Sequence, residues 1–308
     1  MITVANLSKR YGDKLAVDSL DFTVRPGIVT GFLGPNGAGK STTMRMIVGL
    51  DNPTSGDVTV NGSHYADHKA PIHQVGALLE AKAVHTGRSA YNHLLAMAAT
   101  TGISKRRVEV VIDLVGLREV ARKRAGGFSL GMGQRLGIAS ALLGDPEVVI
   151  LDEPVNGLDP EGVLWIRNLL RSLAAEGRTV FVSSHLMSEM ALTAEHLIVI
   201  GRGRLIADVS VAEFTASAST KSVRVRSPQA AQLRDLLADD GVSIASSERG
   251  LLEITGLDPV DIGDRALHAG IALHELSPQQ ASLEEAFMEL TRDAVEYHST
   301  TTSGADAR

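Results

Sequence analysis

Residues 34–41 read Gly34-Pro35-Asn36-Gly37-Ala38-Gly39-Lys40-Ser41 and satisfy G-x-x-x-x-G-K-[ST] at every fixed position. Few short patterns restrict a fold so tightly. The glycines let the backbone curl until its N–H groups converge, and such a concavity suits the oxygens of a phosphate. The loop needs a buried strand before it and a helix after it, whose positive end adds to the attraction. Both flanks are present. Ile28 to Leu33 is a short β-rich run, and Ser41 to Leu50 reads as a helix closed near Gly49 and Asn52-Pro53. The pattern predicts Lys40 at the β and γ phosphates of a nucleotide, the Ser41 hydroxyl on Mg²⁺ and Thr42 in the first helical turn beside them.

A second constellation, Glu147 to Glu153, reads E-V-V-I-L-D-E. Four apolar residues predict a buried strand that carries Asp152 and Glu153 to its carboxyl end, where open α/β sheets bind ligands. Asp152 suits Mg²⁺ directly or through water, and Glu153 suits a general base that polarises an attacking water. Taken alone, the pair could equally be two solvated acids ending a strand.

The rest of the chain predicts the same class. Strands are expected at 15–24, 56–62, 148–151, 179–183, 197–200 and 204–207, with helices at 160–175 and 187–194. Helical candidates at 89–100, 104–115 and 132–143 make the block at about 86–143 an insertion between sheet elements. Alternating strands and helices imply a parallel α/β sheet. Residues 211–221 are small and polar, a linker. Beyond them a strand at 223–226, a helix at 228–239, strands at 242–246 and 251–255, a helix at 259–269 and a strand at 271–276 give the order βαββαβ, a small α+β, ferredoxin-like domain. This accessory domain extends over 222–297 with an amphipathic helix at 282–297 opened by a capping box of Ser282 and Glu285. A disordered tail, 298–308, ends the chain.

Composition excludes other classes. With 308 residues, a core can form without disulfide or metal, and the absence of cysteine removes thiolate chemistry. A net charge of −6 argues against nucleic acid as a partner. No apolar run approaches the roughly 20 residues that cross a bilayer, and the N-terminus has no signal-peptide core.

Phe128-Ser129-Leu130-Gly131-Met132-Gly133-Gln134-Arg135 resembles the L-S-G-G-Q signature of ATP-binding cassette (ABC) ATPases, upstream of the Asp-Glu pair as in that family. Phe128, Leu130 and Met132 depart from the signature. The resemblance covers about residues 1–210 and implies an ABC-type phosphate-loop fold with antiparallel β and helical subdomains. It implies that two copies, or one copy and a second ATPase subunit, pair head to tail, with Ser129 and the Gly131 amide of one reaching the γ-phosphate held by the other. It gives Asp159, in Asn156-Gly157-Leu158-Asp159, a role between the two ATP sites, His185 the γ-phosphate contact and Tyr11 the ring that stacks on adenine. Glu80 stands where the family's Q-loop places glutamine and is carried over as a metal ligand. The pattern of Val75 to Glu80 and of Ala281 to Phe287 resembles the drug- and bacitracin-type exporters. ATP and Mg²⁺ are the cofactors expected, a separate transmembrane permease the partner, and the inner face of the cell membrane the location. A non-transport ATPase acting in regulation or self-resistance is the alternative. His64, His68, His73, His85 and His93 are spaced too irregularly for a metal site, and Arg122-Lys123-Arg124 reads as a solvated face.

Overall fold

The computed structural model describes residues 1–79, 84–217, 222–239, 241–246, 248–279 and 287. Two compact units emerge, one built on Met1–Val211 and one on Ala212–Leu290.

In the first unit, β1 (Ile2–Tyr11) and β2 (Lys14–Val24) form an antiparallel hairpin, and β3 (Val29–Leu33) leads into helix α1 (Lys40–Ile47). Strand β4 (Ser55–Val60) joins the hairpin in a three-stranded antiparallel sheet of order β2-β1-β4. Helix α2 (Pro71–Gln74) and β5 (Val75–Leu78) precede a helical block of α3 (Ala90–Thr101), α4 (Lys105–Leu114) and α5 (Leu130–Leu142). The chain then alternates β6 (Val148–Leu151), α6 (Pro160–Ala175), β7 (Thr179–Ser184), α7 (Met187–Thr193), β8 (His196–Gly201) and β9 (Arg204–Ser210). Six strands form one sheet in the order β5-β6-β7-β3-β8-β9, parallel except for the edge strand β9.

This order decides where the site lies. β6, β7 and β3 are neighbours, so their carboxyl ends open on one crevice. Strands β3, β6 and β7 are buried along their whole length, and β6 is apolar throughout. The two sheets share a core in which the rings of Phe22, Phe32 and Phe181 stand 5.0 to 5.9 Å apart. Such tilted ring pairs contribute about 0.5–1.5 kcal/mol each beyond their burial.

The second unit contains β10 (Ser222–Arg226), α9 (Ala230–Leu237), β11 (Ser243–Ala245), β12 (Leu251–Thr255), α10 (Pro259–His268) and β13 (Glu275–Gln279). The strands pair antiparallel in the order β11-β12-β10-β13. Val223, Val225, Leu252 and Ile254 of the sheet pack on Leu233 and Leu237 of α9 and Ile262 and Ala266 of α10.

Several expectations need correction. The sequence pattern predicts no element in residues 2–11, yet β1 is the central strand of the antiparallel sheet. Its alternation is broken by pairing irregularities and by Asn6 at φ 48°. Val211–Ser217, read as linker, is helix α8, and its Phe214 is buried. The last strand lies at 275–279 and not at 271–276. Ile271 joins the core of the unit, while Pro278 is accepted because β13 is an edge strand. Of the helix expected at 282–297, only Phe287, helical and buried, is among the described residues. The tail at 298–308 lies outside them.

Candidate functional site

Gly39 caps α1 in the left-handed region at φ 105°, and a Cβ there would stand 2.6 Å from the Ala16 carbonyl oxygen. At Gly34 a Cβ would meet the Ile200 carbonyl oxygen at 2.5 Å. Both glycines are therefore dictated by the close approach of the loop to its surroundings. Lys40 is only 7% exposed, and its Nζ donates to the carbonyl oxygens of Gly34 at 2.6 Å and Pro35 at 3.3 Å. Burial pushes its ammonium below the usual lysine range, while Glu153 and Asp152 oppose that shift. Anionic phosphate oxygens would act in the same sense as those carboxylates.

Asp152 and Glu153 follow β6 directly. The Ser41 hydroxyl donates to Asp152 Oδ2 at 2.6 Å. Ser183, fully buried at the end of β7, donates its hydroxyl to Asp152 Oδ1 and accepts from the Glu153 backbone N–H at 2.9 Å. One hydroxyl thus fixes both acids. Glu153 sits at φ 51°, which is strained for a residue with a side chain. Its Oε2 lies 2.7 Å from His185 Nδ1 and also faces the His185 backbone N–H at 3.4 Å.

A cavity of about 380 Å³ is lined by Asn36, Gly37, Ala38 and Gly39 through Thr42, by Asp152 and Glu153, and by Tyr11 and Lys14. Gly34 and Pro35 lie beneath it as the acceptors for Lys40. Tyr11 is 46% exposed, has Lys9 Nζ 5.0 Å from its ring centroid, and donates its hydroxyl to Asp51 at 2.8 Å. Burial and this bond raise the Tyr11 phenol above its usual range. The cavity therefore joins an aromatic ring, the phosphate-loop residues, a lysine and two carboxylates. Magnesium fits its donors: the Ser41 hydroxyl and the Asp152 carboxylate are paired hard oxygens, the ligand type this ion takes. When bound, magnesium would neutralise charge on the phosphate oxygens.

Ser129, Gly131 and Asp159 do not line this cavity. Ser129 caps α5 by accepting from the Met132 N–H at 3.2 Å, and Asp159 caps α6 by accepting from the Gly162 N–H at 2.8 Å. Gly131 lies against the loop before Asp159, where a Cβ would come 3.2 Å from the Gly157 carbonyl oxygen. Gln134, 2% exposed, reaches the Glu153 carbonyl oxygen through Nε2 at 3.4 Å and so links the signature helix to the acid pair. Glu80 lies outside the described residues. The histidines at 64, 68 and 73 turn to separate partners, Asp57, the Val60 carbonyl and the Gly144 carbonyl. No metal-binding group of His, Asp and Glu occurs among the described residues. Arg122, Lys123 and Arg124 are exposed. Ser183 and Gln134 join the acid pair without a signal in the sequence that assigns them there. Ser183 was visible only as a neighbour of His185, and nothing in the sequence ties it to residues 31 positions away.

A sheet that gathers a phosphate loop, a strand-end acid pair and a histidine at three adjacent strand ends is that of a phosphate-loop nucleotide hydrolase. Residues 17–156 match the ABC transporter family, and residues 221–284 match a domain of unknown function (DUF8746). The chain is 43% identical to the bacitracin transport ATP-binding protein BcrA of Bacillus licheniformis, over 68% of this chain and 69% of that one. It is 36% identical to the ABC transporter ATP-binding protein YhcH of Bacillus subtilis, over 96% and 97%. A solved ATP-binding subunit of an ABC transporter superposes with a TM-score of 0.64 at 27% identity, over 70% of this chain and 92% of that one. The chain belongs to the ATP-binding proteins of ABC transporters, and it is an ATPase whose cofactors are ATP and Mg²⁺.

Proposed function

We propose that this chain powers an exporter of antibiotic, drug or lipid-like cargo, that two copies (or one copy and a second ATPase subunit) close head to tail on Mg-ATP, and that a separate transmembrane permease carries the cargo. The observation that carries the pairing is the one-sidedness of the cavity. It is lined by the phosphate loop, Tyr11 and the acid pair, whereas Ser129 and Gly131 face elsewhere. A second copy supplies the missing face by presenting the capped start of α5, an anion-favouring helix end. In this reading Lys40 and the loop amides hold the β and γ phosphates, and Ser41 and Asp152, with Glu80, hold Mg²⁺. Glu153 takes the proton of the attacking water, His185 contacts the γ-phosphate and Tyr11 stacks on adenine. Asp159 and its loop pass the state of one site to the other.

Similarity to a bacitracin transport protein supports export. No helix among the described residues is long and apolar enough to cross a membrane. By its similarity to ATP-binding proteins of transporters, we assign the permease to a separate chain and place this one peripherally on the inner face of the cell membrane. We read residues 1–210 as the nucleotide-binding domain. We read 222–297 as an accessory domain whose order βαββαβ is ferredoxin-like, and the net charge of −6 supports a partner other than nucleic acid.

Glu153→Gln tests the reading. It keeps the hydrogen-bonding shape but removes the base, so turnover should fall by about 10²-fold or more while nucleotide binding persists. In Mg-ATP the variant should elute as a stable dimer. Near-normal turnover would remove Glu153 as the base, and a monomer at saturating Mg-ATP would remove the paired site. Co-purification of the tagged chain with a polytopic membrane protein tests the exporter assignment.

A further inference from the structure

We infer that the second unit holds a binding site of its own for a small organic anion with two or more adjacent negative groups, a polyphosphate or polycarboxylate. A cavity of about 650 Å³ opens where the end of β10, the start of α9 and the β11–β12 hairpin meet. Arg226, Arg234 and Arg249 line it from these three elements, and His274 closes it from the segment before β13. The charge is concentrated there. Residues 222–279 contain five arginines, no lysine and nine acidic residues, so three of the five cations of an acidic segment converge on one depression.

The guanidinium groups are not used up by the fold. The carboxylates nearest Arg226, on Glu248 and Glu275, are 3.6 and 3.8 Å away, and Asp235 is 3.5 Å from Arg234. These separations are at or beyond hydrogen-bond length. Arg249 has no ion pair among the described residues. Each guanidinium therefore keeps donors for a bidentate contact, which suits carboxylate and phosphate oxygens. Ala230 and Ala231, from the first turn of α9, line the same cavity, and no side chain caps that turn. Its free amides add to the positive potential.

The frame behind these groups is fixed. Ser227, buried, donates to the Ala272 carbonyl oxygen at 2.7 Å and accepts from the Gln229 N–H at 3.1 Å, while the His274 N–H donates to the Arg226 carbonyl oxygen at 2.7 Å. The corner between β10 and α9 is thus held without the arginine side chains. With Pro228 and the two alanines beside the charges, the cavity accommodates an organic body as well as an anionic head.

This inference rests on the second unit alone and does not depend on the hydrolytic reading. Calorimetric titration of the full-length chain, with the phosphate loop first saturated by Mg-ADP, tests it with inorganic pyrophosphate and, separately, citrate. Saturable binding at one site per chain is expected for at least one of them, and the preferred anion tells phosphate from carboxylate recognition. Arg234→Gln with Arg249→Gln should weaken binding about tenfold or more. Arg234→Lys with Arg249→Lys, which keeps the charge and loses the fork, should weaken it less. Arg265→Gln, outside the cavity, should leave it unchanged. Absence of saturable binding by both anions, or binding indifferent to the arginine pair, would overturn the site.

Discussion

Ser183 shows how much a single hydroxyl can hold. It is buried, and both groups it serves belong to the acid pair. Ser183→Ala would leave an Asp152 oxygen and the Glu153 N–H without that partner, a loss of about 1–3 kcal/mol. We expect unfolding stability to fall by that amount and turnover to fall about tenfold or more, since each 1.4 kcal/mol of misplacement at the transition state is tenfold in rate. Nucleotide affinity, set by the loop, should stay within about threefold. Stopped assays of ATP hydrolysis and equilibrium nucleotide binding separate the two, and a matching loss of affinity would contradict this division. The residues legible in the sequence are those whose requirement is local. A loop of amides needs glycines and a lysine within eight positions, and a strand-end acid pair needs four apolar residues before it. Ser183 and Gln134 reach the backbone of Glu153 across 30 and 19 positions, a distance over which only the folded sheet brings groups together.

At the scale of elements, helix caps separate stability from function. Ser104 caps α4 and Ser129 caps α5 by the same bond, a hydroxyl accepting from the third following N–H, at 3.3 and 3.2 Å. Replacing either with alanine should cost about 1 kcal/mol, read by denaturant unfolding. If the α5 terminus covers the phosphate of a second copy, only Ser129→Ala should also lower turnover and weaken the dimer trapped in Glu153→Gln. Equal turnover in the two variants would reduce Ser129 to a cap. Periodicity located most of the longer helices to within two residues, although α1 ends at Ile47 and not at Leu50. It failed where partners decide the outcome. β1 is pinned between two strands in spite of its broken alternation, Phe214 draws a polar stretch into α8, and β13 owes its register to pairing with β10 rather than to its own side chains.

Across the whole molecule, one polar junction ties the helical block to the sheet. Asp145 accepts from Arg107 of α4 at 3.0 Å and pairs at 2.9 Å with Arg178, just ahead of β7. Burial raises its carboxyl, but Arg178 and Arg107 outweigh that and hold it below the usual carboxylate range. A depressed folded pKa contributes stability above the ordinary value, near 3.9, and that contribution fades as pH falls through the folded pKa. Asp145→Asn should therefore be less stable at pH 7, by under about 1 kcal/mol because the carboxylate is more than half exposed, and the gap should close in acid. Chemical unfolding at pH 7 and at successively lower pH checks the sign, and a gap that widens in acid would refute it. A different tension is written into Glu153, whose backbone takes a left-handed turn that glycine or asparagine would adopt more comfortably. Selection for heat resistance alone would favour those two residues at this position, and we expect each to give a sturdier chain with lower ATP turnover than the parent, read by thermal unfolding beside an ATPase assay. If Glu153 is the base, as proposed above, the glutamate on that turn is kept for its chemistry at a cost in durability.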